Sequence, residues 1–346
     1  MTNCFFCYAT ELKKFKYLVM ERIDKSMRED ILNFPKQFKV GLEAAKNIKI
    51  KKKFENIVVS GMGGSAWPTD ILTTWLNLKI PVYINRTYNL PPQTNKKTLL
   101  IFSSYSGNTE EPIYSYEEAI ERKLFSIAIT SGGKLKELSE KNKTPLILIP
   151  SGLQPRMATG YIFSALAGIL FKIGLIKKKQ ILEILSLEKK LKPESFENKG
   201  KKIAKRLFKK IPIIYTPDKF KSLGYIWKIK FNENSKVPAF TNYFSELNHN
   251  EISGWQNPIL KFFVLILRDL EDHPRMLKRI ELTAKLLKSK KIEVLIIDIP
   301  EGDILTRIFN TILLSDWISY YLALEYKIDP KKVESIEKFK KLMAIT

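Results

Sequence analysis

Short apolar runs recur along this chain, and most of them break into a turn of small or polar residues followed by a helical pattern. Ile57-Val58-Val59-Ser60 runs into Gly61-Met62-Gly63-Gly64-Ser65 and then an apolar helical stretch to about Leu78. Thr98 to Ser103 runs into Tyr105-Ser106-Gly107-Asn108-Thr109-Glu110-Glu111 and a helix to about Arg122. Phe125 to Thr130 leads through Ser131-Gly132-Gly133 to a helix over Lys134 to Lys141, and Pro81 to Asn85 and Leu146 to Pro150 read as further strands. Strand runs alternating with helices imply a parallel sheet covered on both faces. After a helical stretch from Ala158 to about Phe208, broken at Pro193, the rhythm resumes. Strands are expected at Ile211–Tyr215, Phe262–Arg268 and Ile292–Ile299, and helices at Phe220–Asn232, His273–Leu287, Ile304–Tyr326 and Val333–Met343.

The fold class is therefore α/β, with two similar domains, each a mostly parallel sheet flanked by helices. The expected division is an N-terminal extension over 1–19, disordered, a first domain over 20–175 and a second over 176–346. A length of 346 residues with 45% hydrophobic content supports two buried cores. No uncharged run of 18 apolar residues occurs, so no membrane span is expected, and the N-terminus lacks the pattern of a signal peptide.

The net charge of +23 comes from 59 basic and 36 acidic residues. Such an excess suits nucleic acid, a membrane surface or an anionic substrate. The lysines are spread along the chain, and the densest run, Lys199 to Lys210, reads as one helix with lysines on several faces. A solvated lysine-rich surface is the favoured reading, with no nucleic-acid partner. The only cysteines, Cys4 and Cys7, have no second pair and no nearby histidine, so neither a metal site nor a redox pair is expected. Their scarcity fits a reducing, cytoplasmic setting.

Two strand-to-helix loops have the composition of an anion cradle. In parallel sheets ligands sit at the C-terminal ends of strands, where helix N-termini present free N–H groups. Gly61-Met62-Gly63-Gly64-Ser65 permits close backbone approach, yet it lacks the third glycine of a dinucleotide fingerprint and the G-K-[ST] ending of a nucleotide loop. Ser103, Ser104, Ser106 and Thr109 place four hydroxyls within seven positions. Any one of them could be an ordinary helix cap. Four together, beside a second glycine-rich loop, point to a phosphate monoester held by hydroxyls and amides.

These residues also carry a resemblance. Ser103-Ser104-Tyr105-Ser106-Gly107-Asn108-Thr109-Glu110-Glu111 resembles the phosphate loop of sugar isomerase (SIS) domains, and Gly61-Met62-Gly63-Gly64-Ser65 is similar to their first loop. Gln154-Pro155-Arg156, Gly160-Tyr161, Phe231-Asn232-Glu233-Asn234, Glu246-Leu247-Asn248-His249-Asn250-Glu251, Gly254-Trp255 and Asp316-Trp317-Ile318-Ser319 resemble one branch. That branch is the bifunctional phosphoglucose/phosphomannose isomerase family of archaea and some bacteria. The resemblance runs from about Met20 to the end. It implies a homodimer with the active site near the subunit interface and no cofactor. It implies interconversion of glucose 6-phosphate, or mannose 6-phosphate, with fructose 6-phosphate. By motif, Ser104, Ser106 and Thr109 would hold the phosphate, and Gly64 and Ser65 would line the sugar site. Arg156 would steady charge on the intermediate, Glu233 would be the base, His249 the ring-opening group, and Lys340 a further site residue.

Two departures stand out. Acceptance of both C2 epimers in the family is linked to a threonine in the C-terminal segment, and none lies between Ile312 and Ile345. Trp67-Pro68 replaces the small residues usual after the first loop and would narrow the pocket. The chemistry suits the residue types: an enediol path needs a carboxylate base, an acid/base group for ring opening, and positive charge near the enediolate. Glu246 and Glu251 are rival bases, His273 is the only other histidine, and Lys338 and Lys341 crowd Lys340. Two other functions share the first motif. A SIS-type sugar-phosphate regulator would add a helix-turn-helix domain, and a glutamine-dependent amino-sugar synthase would add a cysteine-bearing domain.

Overall fold

The computed structural model describes residues 27–343, so the extension over 1–19 and the pair Cys4 and Cys7 lie outside the described residues. Two parallel sheets follow one another along the chain. Helix α1 (Gln37–Ala44) leads to β1 (Asn56–Ser60), α2 (Trp67–Trp75), β2 (Val82–Asn85), β3 (Thr98–Ser104), α3 (Glu110–Glu121), β4 (Ser126–Thr130), α4 (Gly133–Lys141) and β5 (Leu146–Leu148). The first sheet has the order β2-β1-β3-β4-β5. Helices α5 (Thr159–Lys172), α6 (Lys178–Lys190) and α7 (Glu197–Leu207) then lead to β6 (Ile211–Thr216), α8 (Lys221–Lys230) and β7 (Phe240–Tyr243). The chain closes with β8 (Phe262–Arg268), α9 (Pro274–Ser289), β9 (Glu293–Asp298), α10 (Ile304–Glu325) and α11 (Glu334–Met343), and the second sheet has the order β7-β6-β8-β9.

The period-two geometry of the first sheet sorts its side chains into two layers. Ile57, Val59, Leu99 and Ile101 point into the core shared with α2 and α5, whereas Val58, Leu100 and Phe102 meet Tyr116 of α3 and Leu135 of α4. All seven residues of β3 are buried, as its near-continuous apolar run requires. Its apolar members, Leu99, Leu100, Ile101 and Phe102, each contribute about 1.5–3 kcal/mol by leaving water. The first core does not stop at its sheet. Phe34, Phe38, Phe163 and Phe309 form an edge-packed aromatic cluster, with Phe38 and Phe309 centroids 4.7 Å apart, and this joins α1 and α5 to α10.

Three expectations need correction. The helical stretch from Ala158 breaks earlier than Pro193, because Gly174 in the left-handed region (φ 77°) ends the turn after α5. The lysines of the 199–210 run do not surround their helix: Gly200, Ile203, Ala204 and Leu207 form one buried stripe, with Gly200 against Trp317. Strand β7 went unpredicted because Phe-Thr-Asn-Tyr is short, polar and at an edge, where burial supplies no apolar pattern.

Candidate active site

The loops after β1 and β3 stand side by side at the C-terminal edge of the first sheet, as the parallel pairing of Val59 with Ile101 dictates. Ser104 is fully buried; its hydroxyl donates to Thr109 Oγ1 (3.0 Å) and accepts from the Gly107 amide (3.1 Å). Gly107 takes a positive φ of 72°, and a Cβ there would lie 1.7 Å from the Gly132 carbonyl oxygen, so only glycine fits. Ser106 accepts from the Asn108 amide at 3.3 Å. Thr109 is the N-cap of α3, and its side chain makes no capping bond to that helix. Ser106 and Thr109 are half-buried, so their hydroxyls border both loop and solvent.

The Gly63–Ser65 turn ties this loop to the next element. Ser65 Oγ accepts the Tyr105 amide at 2.9 Å. A Cβ on Gly64 would sit 2.5 Å from the Pro155 carbonyl oxygen, so the turn packs directly on the backbone that presents Arg156. Tyr105 reinforces the arrangement, since its hydroxyl donates to the Pro150 carbonyl (2.9 Å) and accepts the Leu153 amide (3.1 Å). Gln37 of α1 clamps the far side, accepting from the Gly160 amide and donating to the Met157 carbonyl.

Arg156, at 1% exposure, points into the second half of the molecule. Helix α8 ends at Lys230 and widens into a π turn over Phe231–Ser235, a distortion that recurs at functional sites. Lys236 closes the turn in the left-handed conformation (φ 54°). The turn projects Glu233 at Arg156: Nη1 donates to Glu233 Oε2 at 3.0 Å. The five N–H donors of the guanidinium meet five acceptors. The others are Asn234 Oδ1 (2.5 Å), Gln154 Oε1 (3.5 Å) and the carbonyls of Pro330 (2.8 Å) and Lys331 (3.2 Å). Glu233 Oε1 has no hydrogen-bond partner among the described residues. Burial pushes the Arg156 guanidinium below its usual range, and the Glu233 carboxylate opposes that shift. A cleft of about 490 Å³ opens beside Glu233, with Lys236, Val237 and Val333 in its wall.

Of the residues predicted from sequence, Gly64, Ser65, Ser104, Ser106, Thr109, Arg156 and Glu233 form one connected edge. His249 is exposed beyond the end of β7 and makes no hydrogen bond to Arg156 or Glu233 among the described residues. Lys340 is exposed on α11, a helix with no buried residue, while Lys338 and Lys341 border a groove with Gln154. His273 is exposed and caps α9. Glu251 binds Tyr215 and Asn242 instead of standing near Arg156. Trp67 is fully buried and donates to Thr159 Oγ1 (2.9 Å), so it fills core space.

Sequence reasoning missed Lys230, and gave Asn234, Asp316 and Ser319 no role beyond carrying the resemblance. Asn234 links Arg156 to Ser319 Oγ (2.9 Å), and the Lys230–Asp316 pair (2.5 Å) lies beneath the Arg156 turn. The signal was present: Leu223, Ile226, Trp227 and Lys230 share one helical stripe, and a lysine in an apolar stripe calls for a buried anion.

Two parallel sheets, the first with a hydroxyl-and-amide loop at a strand end, give the chain a double-SIS fold. A solved structure of a hypothetical protein from Thermus thermophilus shares the fold with TM-score 0.69 at 13% identity, covering 97% of this chain and 96% of that one. Residues 196–343 match the model for the bacterial phospho-glucose isomerase C-terminal SIS domain. A bifunctional phosphoglucose/phosphomannose isomerase of Caldicellulosiruptor bescii is 42% identical over 92% of this chain and 99% of that protein. One of the same name from Aquifex aeolicus is 35% identical, covering 83% and 90%. The chain belongs to the bifunctional phosphoglucose/phosphomannose isomerase family. Among the described residues no helix is long and apolar enough to cross a membrane.

Proposed function

We propose that this protein is an aldose–ketose isomerase that interconverts glucose 6-phosphate and mannose 6-phosphate with fructose 6-phosphate. The observation that carries the reading is the contact between Arg156 and Glu233 on the edge that also holds the hydroxyl loop. Ser106, Thr109 and the first amides of α3 hold the phosphate dianion, which suits a helix N-terminus, and buried Ser104 acts through its bond to Thr109. Gly64 and Ser65 line the sugar site. Glu233 Oε1 takes the proton from C2 of the aldose and returns it to C1, by way of an enediol. Arg156 holds the base by its other oxygen. With its N–H groups committed, Arg156 acts on the enediolate through its charge.

Ring opening falls to His249. Its exposure, with no hydrogen bond to Arg156 or Glu233, supports the reading that a second copy of the chain supplies it and that the functional unit is a homodimer. Lys340 enters on the same terms, by movement or assembly of the exposed α11. The reading places the protein in cytoplasmic hexose-phosphate metabolism.

The direct test offers fructose 6-phosphate to the purified protein and resolves both aldose products. Turnover to at least one is expected. Glu233→Gln should lower kcat by about 10²–10⁴, as a lost general base does, with KM little changed. Near-normal turnover in that variant would remove Glu233 from its role.

A further inference from the structure

Lys230 and Asp316 are each 1% exposed and form an ion pair in the core. Taking two charges out of water costs several kcal/mol per ion, and an apolar pair of similar volume is often as stable or more so. Stability alone therefore gives no reason for a lysine here. Its contacts give another. Lys230 Nζ donates to the Arg156 carbonyl at 2.7 Å, lies 3.6 Å from Met157 Sδ and stands 5.6 Å over the Trp67 ring. Trp67 in turn donates to Thr159 Oγ1, one turn beyond Arg156. Lys230 is also the last residue of α8, immediately before the π turn that carries Glu233.

The other end of the network closes on the same place. Asn234 Oδ1 accepts from Arg156 Nε, and Asn234 Nδ2 donates to Ser319 Oγ, three residues along α10 from Asp316. Ser235 Oγ donates to the Ser319 carbonyl at 2.7 Å. One turn of α10 thus anchors the backbone of Arg156 through Lys230 and its side chain through Asn234.

We propose that Lys230, seated by Asp316 and Trp67, is a positioning residue that fixes the Arg156 turn relative to the Glu233 turn. The proposal rests on the reading of Glu233 as the base. Misplacement of a reacting group by about 1 Å can cost about 10² in rate.

Lys230→Met alone strands a buried carboxylate and is expected to fold poorly, so the test uses Lys230→Met/Asp316→Leu, in which both charges are gone. This double variant should retain its circular dichroism spectrum and cooperative melting. With fructose 6-phosphate, its kcat should fall about 10–100-fold while KM stays within about threefold, because the phosphate loop is untouched. A purely structural role would return kcat along with stability. A folded double variant with wild-type kcat, or with KM rising in step with the fall in kcat, would overturn the proposal. The wild type is assayed first: absence of turnover there would overturn the isomerase reading and this inference with it, whereas wild-type turnover matched by the variant would sink this inference alone.

Discussion

The C-terminal edges of the two sheets are built on the same plan and hold opposite electrostatics. Strand β3 lies beside β1 as β8 lies beside β6, and each runs through a loop into a helix. After β3 the loop offers hydroxyls and no cation. After β8 it offers Asp269, Leu270, Glu271 and Asp272. Asp269 is fully buried and paired with Arg307 from the first turn of α10. Arg307 Nη1 also reaches Glu271 (2.7 Å), and Lys219 Nζ stands 3.5 Å from Asp269. The second edge carries its own anion and its own countercharge, so a phosphate finds nothing to neutralise it. The first edge leaves its amides and hydroxyls for an anion from outside. Binding here depends on which polar groups the fold leaves unspent.

The largest expected effect tests the closed edge. Arg307→Met leaves the Asp269 carboxylate buried without its partner, a change worth about 3–5 kcal/mol. Urea unfolding should show that loss, and Arg307→Met/Asp269→Leu should recover most of it. Turnover per folded molecule should stay near wild type in both, since neither residue touches the Arg156–Glu233 site. A loss below about 1 kcal/mol in the single variant would mean that this edge is not internally neutralised, and the contrast between the sheets would fail.

A smaller effect tests the open edge. Ser106→Ala/Thr109→Ala removes two hydroxyls that meet a dianion; water replaces them in part, so each is worth a net of about 0.5–1.5 kcal/mol. Backbone amides remain, so KM for fructose 6-phosphate should rise about 10–100-fold with kcat nearly unchanged, as for a group held alike in ground and transition states. Inorganic phosphate should raise the melting temperature of the wild type, by mass action on the folded state, and should do so much less in the double variant. An undiminished phosphate effect would move the anion site elsewhere.

How much of this was legible beforehand follows from which residues announce themselves by pattern. The strands of the first sheet were, because buried parallel strands leave uninterrupted apolar runs. The phosphate loop was, because its glycines and hydroxyls are adjacent in sequence. Arg156 and Glu233, 77 residues apart, were reached through family motifs, and their contact was not legible in the sequence. Lys230 lies inside a stretch read only as a helix, and Asp316 entered only as part of a family motif. The edge strand β7 between Glu233 and His249 was invisible, since its short run carries no buried apolar pattern. The carboxylates after β8 were read as a charged helix start, and Arg307, which neutralises them, is 38 residues away.

The smallest effect concerns Lys236, the lysine that closes the turn carrying Glu233. Arg307 at the closed edge is matched by two carboxylates, whereas Lys236 Nζ is seated among neutral carbonyls, those of Glu233 (2.9 Å), Asn234 (3.2 Å) and Asp329 (2.7 Å). Burial of the ammonium, aided by the nearby Arg156 charge, pushes it down to about 8. Depression means that the neutral amine appears at lower pH than in an ordinary lysine, whose midpoint is about 10.4. Acetic anhydride at pH 8, with peptide mapping, should therefore modify Lys236 faster than the solvated lysines of α7. The Glu233 carboxylate opposes the depression, so Glu233→Gln should move the labelling midpoint of Lys236 further down. An upward movement, or a labelling rate equal to that of Lys201 and Lys205, would show that Lys236 beside Glu233 is as well matched as Arg307 at the closed edge.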